Sequence, residues 1–353
     1  MHRAPGAVAY SLLLIAVALP FATLLREMFS ADASGVWLHY ASTVLPGYVI
    51  NALVLGASVA LFASVIGVAC AWQIERHDFP LRGFLAWALL LPMAMPAYVA
   101  AYALTDYLQF SGPVQSWLRA TFGWQKGDYW FPEFVSMPGA IAAFSLTLYP
   151  YVYVLARTAF AERGAELFEA ARTLGLNRRE AWWRAALPVA RPAIAGGALL
   201  VTMETLADFG TVSYYGVETL TTGIYRAWQN MGDLVAAAQL AALLLTAVVL
   251  LVWLERRGRD RSRYANVRAR GERVRARVQG VSGWLRTAVC LVPLLLGFAL
   301  PALLLLRLLT RDWASVSAVA VATWTRNSLW VGCLAALVVV VLTLTLNARA
   351  RLS

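Results

Sequence analysis

Apolar runs long enough to cross about 30 Å of hydrocarbon as a helix recur along this chain, separated by polar segments. They fall at 7–29, 48–73, 83–107, 136–158, 192–213, 233–255, 285–309 and 327–347. The expected fold is therefore all-α, a polytopic membrane helix bundle of about eight transmembrane helices. Several runs carry proline, at Pro20, Pro92, Pro96, Pro150 and Pro301. Proline is tolerated in a membrane helix where neighbours re-satisfy the freed carbonyl, and the pair Pro92 and Pro96 predicts a kink or interruption in the third run. The first run is too long for a signal-peptide core and has no small-residue cleavage pattern, so it is expected to be a retained span.

The polar segments differ in charge. Segment 30–47 has no Arg or Lys, 108–135 has only Arg119 and Lys126, and 214–232 has Arg226 alone. Segment 74–82 carries Arg76 and Arg82, 157–191 carries seven Arg, and 256–284 is the most basic of all. Rich and poor segments alternate, which predicts that the rich ones and both termini are cytoplasmic. Composition agrees: 60% of the residues are hydrophobic, 14% are charged, and the net charge is +11. In a soluble protein that balance would point to nucleic acid. Here the Arg sit in short segments between apolar runs, and no nucleic-acid partner is expected. The basic segment 255–286 reads as a cytoplasmic connector lying against anionic headgroups or as a regulatory tail. Val274 and Val278 with Arg between them allow a short amphipathic helix there. Cys70, Cys290 and Cys333 sit in apolar runs without metal-ligand spacing, as packing residues.

Segment 157–191 reads as two short helices broken at Gly175, with Asn177 as N-cap and Glu180 three residues on. It is either an ordinary amphipathic loop or a built docking element. Glu169-Ala170-Ala171, Gly175 and Leu187-Pro188 stand at the separations of the E-A-A loop and resemble that of permease subunits in binding-protein-dependent ABC importers. The departure is Ala185, where that family usually has Ile. The resemblance implies a type I importer permease fold over about 48–256, with a coupling loop at 160–190 that docks onto a separate ATPase dimer. It also implies a periplasmic or extracellular substrate-binding protein as partner, a bacterial inner-membrane location, and no cofactor on this chain, ATP being used by the partner subunit. Glu169 and Gly175 would then shape the docking helix, and Arg178 and Arg179 could pair with acidic residues of the ATPase.

A repeat adds to this. Ala18-Leu19-Pro20, a polar gap and Asn51-Ala52-Leu53-Val54-Leu55-Gly56 return as Ala299-Leu300-Pro301, a polar gap and Asn327-Ser328-Leu329-Trp330-Val331-Gly332. The organisation expected is a first span and external loop at 1–47, a permease unit at 48–256, a basic linker at 257–285, and the start of a second, truncated permease unit at 286–353. The remaining half would be fused or supplied as a second copy.

For cargo, the stretch from Glu204 through Asp208-Phe209-Gly210 to Tyr225-Arg226-Ala227-Trp228 resembles the fused ferric-iron permeases. Glu204 and Asp208 are four apart, so on a continuous helix they share one face. Carboxylates in a span are costly and face a cavity or a partner, and hard oxygen ligands suit a hard trivalent cation. Alternatively both are hydrated or paired with Arg226. No metal site is firmly assigned. Tyr149, Tyr151 and Tyr153 read as interfacial or packing residues. Thiamine, a polyamine, sulfate or a phosphonate are the alternative cargoes. No P-loop, H-E-x-x-H, C-x-x-C or G-x-S-x-G occurs, so no enzyme chemistry is expected. His2, His39 and His77 read as solvated. The reading from another class is an ion-gradient-driven transporter or a membrane scaffold without an ATPase.

Overall fold

The computed structural model describes residues 15, 18–26, 40, 42–125, 127–260, 275–311, 313 and 317–352. The start of the first expected span, most of the segment after it and linker residues 261–274, Val274 included, lie outside the described residues. The chain divides into two compact units, Glu27–Leu304 and a second made of Met1–Arg26 with Leu305–Ser353.

The larger unit begins with α1, Leu45–Arg76, an Ala-, Val- and Leu-rich helix with proline in its first turn and no charge until Glu75. Its buried residues Ala52, Gly56, Val59, Ala63, Gly67, Cys70 and Ile74 recur at steps of three and four, a single small-residue stripe. The stripe packs on α5, Met137–Ala159. A Cβ at Gly67 would lie 2.8 Å from the Tyr153 backbone nitrogen, and one at Gly197 would lie 2.8 Å from the Val152 Cα. Backbones touch there on two sides of α5, which is how small residues hold membrane helices together when burial of apolar surface gives no advantage over lipid. Tyr149 and Tyr153, one turn apart on α5, are fully buried in this core.

After α1 the chain runs through a two-residue strand β1, His77–Asp78, then α2, Arg82–Ala88, a 3-10 turn at Leu91–Ala94, α3, Ala97–Leu108, and α4, Pro113–Phe122. The third expected span is thus broken between its two prolines, with a 90° bend from 82–94 to 97–122. Proline at 96 denies an N–H to the preceding turn and holds Met95 extended.

Beyond α5 a π-helical turn at Phe160–Gly164 leads into α6, Ala165–Thr173. Then come α7, Arg178–Ala181, a π-helical turn at Trp182–Ala186, and α8, Leu187–Ala207. These last three form one continuous span, Arg178–Ala207. The expected run at 192–213 therefore starts earlier and ends earlier. Short helices α9, Gly210–Tyr214, and α10, Leu220–Tyr225, precede α11, Leu234–Asp260. The chain is next described at β2, Ala276–Arg277, which pairs in parallel with β1. Val278 is accordingly in extended backbone and not in a surface helix, because its N–H bonds to the Asp78 carbonyl. α12, Gly280–Leu294, follows and continues through a π turn into α13, Leu300–Arg311.

The smaller unit holds helical residues 18–26, the part of α13 from Leu305 onward, and α14, Ala318–Leu352. Nearly all described side chains of α14 are exposed although the helix is apolar all round, the pattern of a span that meets lipid. Among the described residues six helices are long and apolar enough to cross a membrane, seven if the bent pair counts as one span.

Candidate functional site

The loop between α5 and α8 is built from local hydrogen bonds. α6 ends in a two-bond cap: the Leu176 N–H reaches the Ala171 carbonyl and the Gly175 N–H reaches that of Arg172, both at 3.1 Å. This geometry needs a left-handed residue after the helix, and Gly175 has φ +92°. No atom lies within 4 Å of the position a Cβ would take, so the backbone angle and not crowding demands glycine. Two residues on, the Asn177 side chain accepts from the Glu180 N–H at 2.9 Å and the Glu180 carboxylate accepts from the Asn177 N–H at 3.1 Å. The expected N-cap is thus a full capping box. Leu187 bonds to the Trp182 carbonyl five residues back. The widened turn lets Pro188 enter a continuous helix without its ring striking the carbonyl of a regular turn.

The loop rests on the end of α1. Phe168, Ala171, Ala181 and Ala186 form a buried cluster against Trp72, Trp182 and Ala185. Trp72 meets Phe160 and Phe168 edge-on at 5.2 Å each. Ala185 packs in this cluster, where a larger Ile would need more room. Glu169 pairs with Arg76, whose guanidinium also lies 5.0 Å from the Phe168 ring centre. Ala170 faces out, as do Arg178 and Arg179, which have no carboxylate partner among the described residues. Leu174, just before the glycine, is 84% exposed. The two-helix loop thus presents an exposed leucine and two guanidiniums without carboxylate partners on one surface, a chemistry complementary to an acidic, partly apolar groove.

Three residues of this end were not singled out from the sequence. Glu75 has a side chain only 4% exposed, held by Arg157 at 2.8 Å and Arg275 at 3.3 Å. Its signal was available: a carboxylate closing a long apolar run needs a partner. Trp72 and Arg76 gave no comparable signal, since their partners lie about ninety residues away. His77 corrects an expectation. It is not solvated but buried, with Nδ1 3.3 Å from Arg286 Nη1. A guanidinium only donates, so Nδ1 accepts. Burial first, then the charges of Arg286, Arg76 and Arg178, push its pKa down to about 4.

The opposite end of the unit holds Glu204 and Asp208, and here the expectation of a shared helical face fails. α8 stops at Ala207, and Asp208 is extended with ψ 135°. Its carboxylate caps α9, accepting from the Thr211 N–H at 2.7 Å, the Val212 N–H at 3.3 Å and the Thr211 hydroxyl at 3.2 Å. Burial raises its pKa from the ordinary value, and those bonds work against the rise. Glu204 stays exposed in the last turn of α8, close enough to Tyr151 to interact with it. Arg226 pairs with neither. It donates to Glu218 at 2.6 Å and to the Tyr48 hydroxyl at 3.1 Å. Among the described residues no three metal-ligating side chains come together. The segments at this end are acidic all the same: Asp106, Asp128, Glu133, Glu204, Asp208, Glu218 and Asp233 outnumber Arg119, Lys126 and Arg226.

Residues 63–260 match the family model for the binding-protein-dependent transport system inner membrane component. The chain is 27% identical over 205 residues to the Fe(3+)-transport system permease protein FbpB 2 of Haemophilus influenzae, a match covering 58% of this chain and 36% of that protein. It thus spans little more than a third of that relative's length. It is 29% identical over 245 residues to the sulfate permease CysT of Escherichia coli, covering 67% of this chain and 84% of the relative. To the molybdenum permease ModB of Escherichia coli it is 27% identical over 224 residues, covering 61% and 95%. Among solved structures, a chain of the bacterial alginate ABC transporter, crystallised with an alginate pentasaccharide-bound periplasmic protein, aligns with TM-score 0.57 at 16% identity. That alignment covers 74% of this chain and 96% of the other, a likeness of fold.

Proposed function

The chain belongs to the binding-protein-dependent transport system inner membrane components, membrane permease subunits of ABC importers, and from that premise we propose that it carries ferric iron. Residues 160–190 are then the coupling loop, facing the cytoplasm, and the acidic end receives cargo from a binding protein outside. The observation that supports the loop's role is the pair of local caps around Gly175, which holds α6 and α7 as one rigid surface with Leu174, Arg178 and Arg179 outward. ATP binding closes a separate ATPase dimer, the loop moves with it, and the span Arg178–Ala207 carries the displacement into the bundle. That helix is continuous, so a push at Arg178 reaches Glu204 without passing through a flexible joint.

The cargo reading is supported by charge. An excess of carboxylates at the receiving end raises the local concentration of a cation and lowers that of an anion. Glu204, exposed and free of a structural task, is the path residue, while Asp208 is engaged as a cap. Passage requires weak contacts, and a single carboxylate beside a phenol provides them. The competing reading is an oxyanion cargo, favoured by the longer coverage of the sulfate and molybdenum permeases. Uptake of radiolabelled Fe(III), sulfate and molybdate into proteoliposomes holding the chain, its ATPase and its binding protein decides between them. ATP-dependent iron uptake without oxyanion uptake is expected, and the reverse pattern overturns the assignment.

A further inference from the structure

One helical turn at the end of α1 touches three separate parts of the larger unit. Trp72 packs on the coupling loop through Phe168 and Trp182. Arg76 pairs with Glu169 of that loop. Glu75, pointing about 100° away around the helix, is held through one oxygen by Arg157 of α5 and through the other by Arg275, where the chain leaves the basic linker. The same stretch is fastened twice more. β2 lies on β1, with Ala276 opposite His77 and Arg277 opposite Asp78. Arg286 of α12 donates to Gln73 at 2.6 Å, and the Thr287 hydroxyl donates to the Pro80 carbonyl at 2.9 Å.

Charge balance separates the two guanidiniums. Arg157 alone neutralises Glu75, and it is further held by the Ala86 carbonyl at 2.8 Å. Arg275 is a second cation on a carboxylate already paired, in a neighbourhood that also holds Arg82. Neutralising a buried charge does not require it. Its effect is positional: it ties the end of the linker to the turn whose next residue grips Glu169.

We propose that Glu75 is a positioning residue of the coupling loop and that the linker acts on it through Arg275, so that the segment leading into α12 sets the rest position of Glu169 and α6. The inference rests on reading 165–188 as the coupling loop. The linker is then a mechanical connection between the coupling loop and the span after it, and not only a tether.

The variant to make is Arg275→Ala, which leaves Glu75 paired with Arg157 and so avoids the large cost of an unpaired buried carboxylate. Amide hydrogen exchange on the full chain in nanodiscs reads the effect directly. Exchange at 165–174 should rise about fivefold, the scale of losing one partly exposed ion pair, while 140–150 in the middle of α5 stays unchanged. Arg275→Lys should recover part of the protection. In a Cys333→Ser background, Asp78→Cys with Arg277→Cys places thiols at paired strand positions. Oxidising that pair in the Arg275→Ala chain should restore protection at 165–174, and reduction should remove it again. With the ATPase and binding protein present, Arg275→Ala should also raise the ATP hydrolysed per cargo delivered. Unchanged exchange at 165–174 in Arg275→Ala, or a cross-link that forms without restoring it, overturns the proposal. If no ATPase binds the wild-type chain, the coupling-loop reading falls, and the exchange measurement still decides whether the linker holds 165–174.

Discussion

At the arginine-rich end, the helix caps of the loop between α5 and α8 are closed by groups of the loop itself. Gly175 closes one helix, Asn177 and Glu180 open the next, and Arg178 and Arg179 are left facing outward without a carboxylate partner among the described residues. At the acidic end the same inventory of carboxylates, hydroxyls and a guanidinium is turned inward. Asp208 is consumed by Thr211 and Val212, and Arg226 by Glu218 and Tyr48. The first end leaves Arg178 and Arg179 exposed, and the second spends Asp208 and Arg226 on bonds inside the unit and leaves Glu204 exposed. A charged residue in a membrane protein therefore acquires its meaning from whether local structure has already used it, not from its type.

The largest expected effect lies where the loop meets α1. Trp72→Ala empties the centre of the aromatic cluster. Since Trp72 is half-buried, a loss of about 3 kcal/mol is expected, at the low end for truncating a large aromatic. Thermal melting in detergent should show it, with binding of the ATPase lost alongside. A variant that melts normally and still binds would mean the loop does not rest on α1.

Next in size is a pH effect confined to the same end. His77 has its pKa depressed to about 4 from an ordinary 6.5. The unfolded chain therefore takes up a proton at a pH where the folded chain does not. The stability contributed is present above pH 6.5 and is lost as pH falls from there toward 4, by up to about 3 kcal/mol. The melting temperature of the wild-type chain should drop over that window more steeply than that of His77→Gln. Parallel curves would show that His77 titrates normally.

A smaller effect divides the two carboxylates at the acidic end. Asp208→Ala removes a cap and should cost about 1 kcal/mol, lowering the melting temperature and affecting any cargo alike. Glu204→Gln should leave melting unchanged and reduce iron uptake. If the two variants behave in the same way, the distinction between a structural and a path carboxylate is wrong.

The loop was legible because its determinants are close in sequence. Glycine after an Ala-rich stretch, then Asn and Glu three apart, specify cap geometry without reference to the rest of the chain. Pro92 and Pro96 announced the break in the third span for the same reason. The acidic end misled because the pairing of Glu204 with Asp208 assumed a helix that continues. Asp208 followed two residues later by glycine and then threonine was a cap signal, hidden by the apolar run around it. The partners of Glu75 and Glu169, and the bond from Arg226 to Tyr48, depend on which spans lie side by side, and spacing along the chain does not contain that.

If residues 160–190 form the coupling loop, the surface it presents depends on the left-handed turn at Gly175. The most direct test compares Gly175→Val with Gly175→Asn, because space around the site is open and only backbone conformation separates them. Asn tolerates φ near +90° far better than a β-branched residue, for which the strain is about 1–3 kcal/mol. ATP-dependent uptake, scored beside expression and ATPase co-purification, should be retained by Gly175→Asn and largely lost by Gly175→Val, with both chains inserted normally. Equal, undiminished uptake by the two variants would mean that coupling does not depend on a left-handed turn at Gly175.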